Sequence, residues 1–392
     1  MAHDAKRRRI LVVSQHFWPE NFRISDIVAG FVGDDIEVDV LCGLPNYPKG
    51  EWFDGKGNTG ARIFLNYVSW PFFALFSLPR LAGRRYDAVF CYETSPVMML
   101  FPAILHAKIH KLPLTCYVLD LWPDNLYSVL PVKSPFLRGI AQKVSDWHYR
   151  RCTRLIAMSD ALAERLKAIA ATAKHPPQVA VIPQYSEDFY GQDIPDDALK
   201  ARFAGFFNLL FAGNISPAQN LENLVRAVKL VTARRPAAKL RVLLLGDGMS
   251  REALAQAIKA EGLDAHFEFC GQVPPEEIPR WTGMADALFA GLTQSENLGL
   301  TVPAKITSYL AAGRPLLVAM EGEGARVAQE SGAALVSGAG DAEALAANIE
   351  ALLDMPADQR AAMGTAGRAA WQAHYRRAPL LKALERFILE GQ

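Results

Sequence analysis

Short, mostly apolar runs separated by polar stretches of helical period recur along the whole chain. ILVVS at 10–14 is one, and such a continuous run is the signature of a strand buried on both faces of a parallel sheet. A loop through Pro19 and a helix near 24–31 follow. Runs at 38–41, 87–90, 114–119, 155–158 and 179–182 continue the series. A second series opens at 207–212 and passes through 240–245, 267–269, 287–290, 316–319 and 334–336. Strands alternating with helices predict parallel sheets joined by right-handed crossovers. The expected fold class is therefore α/β, two Rossmann-like doubly wound domains facing a cleft. A polar, Asp-rich stretch at 186–201, with Gly191 and Pro195, marks the break between the series. This gives a first domain at 1–190, a linker at 191–205 and a second domain at 206–378. The last segment, 379–392, carries Leu380, Leu381, Leu384, Phe387 and Ile388 on one helical face. It is expected to pack back across the domain boundary.

Composition narrows the class. The chain has 392 residues, too many for one ordinary core, and is 51% hydrophobic and 21% charged, which excludes disorder. A net charge of +1 without a basic stripe argues against a nucleic-acid partner. Five scattered cysteines with no CxxC spacing read as reduced core thiols of a cytoplasmic protein. The apolar run at 10–13 is too short for a signal peptide.

The most informative stretch is VPAKITSYLAAGRPLLV at 302–318. Pro303 suits the start of a helix, Gly313 its left-handed close, and Pro315 prevents its resumption before a buried strand. The preceding loop, SENLGLT at 295–301, aims amides and a helix N-terminus at whatever lies above the sheet, and Lys305 stands on the first turn. A solvated surface lysine is the bland alternative. The combination of Gly-containing loop, helix start and lysine favours a phosphate site at the strand carboxyl ends. Neither series has GxGxxG after its first strand, so a dinucleotide is not expected.

Several stretches together carry a specific resemblance. They are SQHFWPE (14–20), GLPNYPKG (43–50), DLWPD (120–124), AMSD (157–160), VIP (181–183), FAGN (211–214), LGDG (245–248) and the helix at 303–315. In this order they resemble the GT-B retaining glycosyltransferases of family 4, in particular bacterial enzymes of O-antigen, capsule and colanic acid assembly. The resemblance implies a UDP-sugar donor, a polyprenyl-diphosphate-linked saccharide acceptor and no separate cofactor. It implies donor contacts at Gly213, Asn214, Gly246, Asp247, Gly271, Val273, Leu298, Gly299, Leu300, Thr301, Lys305 and Ser308. Arg23 would reach in from the other domain, and acceptor contacts fall at His16, Asn46, Tyr47 and Lys49. The family's acidic pair is missing: Ser308 and Leu300 hold those slots, and Glu296 lies four residues too early. Its Arg and Lys appear as Asn214 and Gln219, and its glycine pair as Asn21 and Phe22. Lys305 is then the compensating cation.

Charge dictates the expected mechanism. Breaking a sugar–diphosphate bond leaves negative charge on phosphate, which aimed donors stabilise. With no DxD, no metal is expected, and amides near Gly213 and Gly299 join Lys305 and Arg23 in that task. In a retaining reaction the leaving phosphate itself takes the acceptor proton. Asp120, Lys305 and Glu20 are the catalytic candidates. Asp120 and Glu20 read equally as helix caps, and His16 as a packing residue. An unusually aromatic segment at 64–85 ends in Arg80, Arg84 and Arg85, with Pro71 and Pro79 dividing it. It suits docking on the inner face of the cytoplasmic membrane, with a buried core helix as the alternative. Two other functions stay open: a non-catalytic or partner-dependent sugar-nucleotide binder, and an epimerase of the same fold.

Overall fold

The computed structural model describes residues 7–20, 22–33, 35–43, 60–81, 83–124, 127, 134–295 and 298–392, with side chains in the 60–81 helix from 68 onward. Among them the apolar runs become twelve strands in two parallel six-stranded sheets. The first sheet contains β1 (Arg8–Ser14), β2 (Ile36–Cys42), β3 (Ala88–Glu93), β4 (Leu114–Val118), β5 (Arg154–Ala157) and β6 (Gln178–Val181). Their order is β2-β1-β3-β4-β5-β6, and Val12 lies between Val40 and Phe90 in register. The second contains β7 (Phe207–Ala212), β8 (Leu240–Leu245), β9 (Phe267–Gly271), β10 (Ala287–Gly291), β11 (Leu316–Ala319) and β12 (Ala334–Ser337). Their order is β12-β11-β10-β7-β8-β9, with Leu210 between Leu243 and Leu288. Every residue of β3, β4 and β10 is buried, as a strand covered by helices on both faces requires. Each large side chain so covered stabilises the fold by ~1.5–3 kcal/mol. The expected α/β, doubly wound fold class is present in both sheets.

The chain separates into two compact units, Met1–Ile182 with Ala378–Gln392, and Pro183–Arg377. The segment 191–205 holds a short helix, Asp197–Arg202, within the second unit. The C-terminal helix, Arg377–Glu390, buries Leu381, Leu384, Phe387 and Ile388. It is tied to the first unit at three points. Arg154 donates to the Ile388 carbonyl at 2.7 Å, Gln178 to the Gly391 carbonyl at 2.9 Å, and Arg8 pairs with Glu390 at 3.1 Å.

Two local expectations change. The aromatic segment is not divided at its prolines: one helix, Gly60–Leu81, runs through Pro71 and Pro79. An interior proline costs roughly 3 kcal/mol. Pro79 falls in the final turn, and Pro71 is buried with Ala74, so packing offsets the cost. Among the cysteines Cys91, Cys116 and Cys152 are buried and free, but Cys42 at the end of β2 is exposed.

Candidate active site

In the second sheet the chain runs outward from β7 to β9 and then returns to β10 on the other side of β7. This reversal opens a crevice at the carboxyl ends of β7 and β10, the position where open α/β sheets take ligands. Gly213 follows β7 and Gly246 follows β8. Their backbones touch so closely that a Cβ on Gly246 would lie 2.0 Å from the Gly213 carbonyl oxygen. Gly213 N–H donates to Leu245 O at 2.9 Å, and Gly246 N–H to Gly271 O at 2.7 Å, which fixes the two loops edge to edge. Asp247 accepts from the Gly248 amide at 2.8 Å and closes a turn. The sequence thus brings Gly213, Asn214, Gly246, Asp247 and Gly271 into one patch.

The helix Ala304–Ala312 starts after Pro303 and closes at Gly313 in the left-handed conformation. Tyr309 fastens it to β7: its hydroxyl accepts from the Ala212 amide at 2.8 Å and donates to the Ala212 carbonyl at 3.3 Å. Ser308, on the same helix, is buried. Lys305 extends from its first turn over the Phe211 ring, 3.6 Å from the centroid, and donates to Gln219 Oε1 at 2.7 Å. Its Nζ stands 3.2 Å from where a Gly213 side chain would begin. No carboxylate among the described residues pairs with it. Burial alone holds its pKa well below the usual lysine range. The residue retains some surface, but the amine end is enclosed. An anion arriving here would meet a desolvated amine with no carboxylate beside it among the described residues, and would favour its protonated form.

Other expectations need correction. The Gly213 and Gly299 amides donate to Leu245 O and to Ser295 O (3.1 Å), so neither is available to an anion. The Asn214 amide has no acceptor among the described residues, and those of Ala304 and Lys305 precede the first intrahelical acceptor. Leu298, Gly299 and Leu300 form a 3₁₀ turn, which Thr301 closes by donating to Leu298 O. That turn presses on the loop after β11, where a Cβ on Gly322 would fall 2.2 Å from Gly299 O. Val273 and Leu298 pack against the apolar cluster beneath. Glu296 lies outside the described residues.

The first unit has its own constellation at the carboxyl ends of β1, β3 and β4. His16 Nδ1 lies 2.8 Å from Glu20 Oε2, and the imidazole stacks on Phe22 at 4.5 Å. Glu20 is buried and does not cap the following helix, whose N-cap is Phe22 without a side-chain bond. Arg23 opens that helix, and its charge is felt at Tyr117. Asp120 occupies a bend two residues past β4. Close by, Glu93 ends β3 fully buried, and Tyr149 donates to its Oε2 at 3.3 Å. Burial, and then the charge of Asp120, pushes the Glu93 carboxyl well above the usual range. Asn46, Tyr47 and Lys49 lie outside the described residues. Sequence reasoning missed Glu93 and the joining of His16 to Glu20. It noted Gln219 only as a missing lysine, and a charged residue closing the apolar run at 88–93 was the available signal for Glu93.

Comparison with known proteins fits this geometry. Residues 207–355 match the family Glycosyl transferases group 1, and residues 21–184 match Glycosyl transferase 4-like domain. The class is therefore a glycosyltransferase of GT-B type, with a glycosyltransferase domain on each sheet. The chain is similar to the probable glycosyltransferase WbjE of Pseudomonas aeruginosa, 25% identical over 317 residues, covering 77% of this chain and 74% of that protein. It is also similar to the D-inositol 3-phosphate glycosyltransferase of an Arthrobacter strain, 32% identical over 169 residues, which cover 43% of this chain and 38% of that protein. Among solved structures, HepE of Anabaena in complex with UDP superposes with a TM-score of 0.70 at 14% identity, over 97% of this chain and 98% of that one. Sucrose-phosphate synthase of Thermosynechococcus elongatus gives 0.72 at 15% identity, over 97% and 98%.

Proposed function

We propose that this protein moves a sugar, an N-acetylated or deoxy hexose, from a UDP-sugar to a polyprenyl-diphosphate-linked saccharide in O-antigen or capsule assembly, with retention at the anomeric carbon. The observation that carries the reading is Lys305, a desolvated amine at the carboxyl end of β7 that no carboxylate among the described residues pairs with. A nucleoside diphosphate supplies the charge it lacks. The UDP bound in the HepE structure supports that choice of ligand, as does the order of matching motifs along the sequence. The C1–O bond breaks with its electron pair passing to the β-phosphate, and the acceptor oxygen bonds to C1 on the same face. The acceptor proton passes to the departing phosphate oxygen. Lys305 and the first amides of the helix Ala304–Ala312 stabilise the charge that develops there. The His16–Glu20 pair and Asp120 orient the acceptor hydroxyl. In this reading a lysine does the work a divalent cation does elsewhere, so turnover proceeds with EDTA present.

The acceptor is anchored in lipid, and the enzyme works as a peripheral protein on the inner face of the membrane, using the segment 64–85. Among the described residues no helix is long and apolar enough to cross a membrane. Release of UDP from a panel of UDP-sugars, with and without membrane extract and EDTA, tests the assignment. Turnover of one donor supports it. Tight binding without turnover favours a catalytically silent binder, and absence of binding overturns the nucleotide reading.

A further inference from the structure

Exposed apolar surface and positive charge in the first unit concentrate on the same three helices. The helix Gly60–Leu81 packs beside Leu100–His110, which packs beside Pro135–Tyr149. On the first, Phe72, Phe73 and Phe76 are 54%, 67% and 66% exposed. Their rings meet edge to face, at 5.5 and 5.2 Å. On the third, Phe136, Leu137 and Ile140 repeat the same i, i+1, i+4 spacing and are 76%, 54% and 45% exposed. That spacing places each trio on one side of its helix. Phe101 of the middle helix stacks on Trp147 of the third at 6.1 Å, and Arg151 lies over the same indole at 4.2 Å. A monomer rarely leaves so much contiguous apolar surface open without a use for it.

The charges point to the occupant. The chain as a whole is nearly neutral, yet residues 60–85, 100–111 and 134–151 contain ten lysines and arginines and a single acid, Asp146. Arg150 takes that acid at 2.8 Å. Arg84, expected to serve lipid, is held instead by Asp39. Arg80, Arg85, Lys108, Lys111 and Lys143, on or just beyond these helices, stay exposed. Exposed aromatic side chains on helices that also carry several exposed cations, their one acid already paired with Arg150, match the headgroup boundary of an anionic bilayer.

We infer that this three-helix face, and not the 64–85 segment alone, seats the protein on an anionic lipid surface. The inference deepens the membrane part of the proposed function and rests on it. Co-sedimentation with vesicles of 7:3 phosphatidylcholine and phosphatidylglycerol tests it, using F136S/L137S/I140S, a variant that leaves 64–85 untouched. The triple variant is expected to bind at least tenfold more weakly, with UDP affinity unchanged. In vesicles of brominated lipid the wild type is expected to lose more tryptophan fluorescence than W147F, the difference being the Trp147 contribution. If wild type ignores the vesicles, the membrane reading and the inference fall together. Wild-type binding that the triple variant matches, or equal quenching in W147F, overturns the inference alone. A concentration-dependent dimer abolished by the triple variant, with vesicle binding intact, assigns the face to a protein partner and also overturns it.

Discussion

Replacing Lys305 with alanine isolates the interaction on which the donor site turns. Among the described residues the amine has one hydrogen bond, to Gln219, and the face of Phe211. A bound diphosphate would add a charge-assisted bond, and losing one costs about 1.5–3 kcal/mol. That corresponds to roughly a 10- to 150-fold weaker affinity for UDP at neutral pH. Stability of the unliganded protein should change far less, because the variant also sheds a buried amine that no carboxylate among the described residues pairs with. The pH dependence has a definite sign. The folded, unliganded lysine binds its proton less tightly than in the unfolded chain. The unfolded state therefore holds more protons between the depressed pKa and the ordinary one, and stability rises with pH across that window. UDP restores the charge, so wild-type binding should take up a proton and weaken as pH climbs through the same window. Titration calorimetry in two buffers of different ionisation enthalpy measures affinity and proton uptake together. A Lys305→Ala variant that binds UDP within twofold of wild type would refute the assignment, whatever its activity.

Three further outcomes are expected. Gln219→Ala should weaken UDP binding less than Lys305→Ala, and the double variant should be no worse than Lys305→Ala, because Gln219 acts through the lysine; calorimetric additivity would contradict this. His16→Ala and Glu20→Gln should each lower kcat by roughly ten- to hundredfold through loss of positioning, leaving UDP affinity intact, and steady-state kinetics showing unchanged kcat would count against the pair. Glu93 carries its proton in the folded protein at pH values where the unfolded chain has lost it. It therefore withdraws stability as pH rises from the ordinary glutamate range toward its elevated folded pKa. Thermal melts at pH 5 and pH 8 should then show a smaller decline for Glu93→Gln than for wild type, and parallel declines would rule that out.

Strands such as VFCY of β3 or LLVA of β11 were legible because burial on both faces leaves no polar position to blur the run. The helix Ala304–Ala312 was legible for a different reason: a proline and a glycine punctuate it with fixed backbone preferences. What escaped depends on contacts distant in sequence. Lys305 and Gln219 are 86 positions apart, and Glu93 and Tyr149 are 56 apart. No local pattern announces such a meeting. Backbone bookkeeping was equally hidden, since the Gly213 amide looked available until β8 supplied Leu245 O as its acceptor. Pro71 misled in the opposite direction, because local propensity marks a break that tertiary packing overrides.

The first unit is discontinuous: the chain leaves it at Ile182 and re-enters only at Ala378. During synthesis the second unit, unbroken in sequence, can fold while the first still lacks its last helix. At about 5–20 residues per second, the roughly two hundred intervening residues impose a wait of about 10–40 s. Throughout it, the surface destined for Leu381, Leu384, Phe387 and Ile388 stays open. An N-terminal fragment stopped at Ile182 would keep that surface open permanently. Expressing the first unit by itself therefore calls for splicing 378–392 back onto it through a linker, so that the last helix arrives together with the unit it completes.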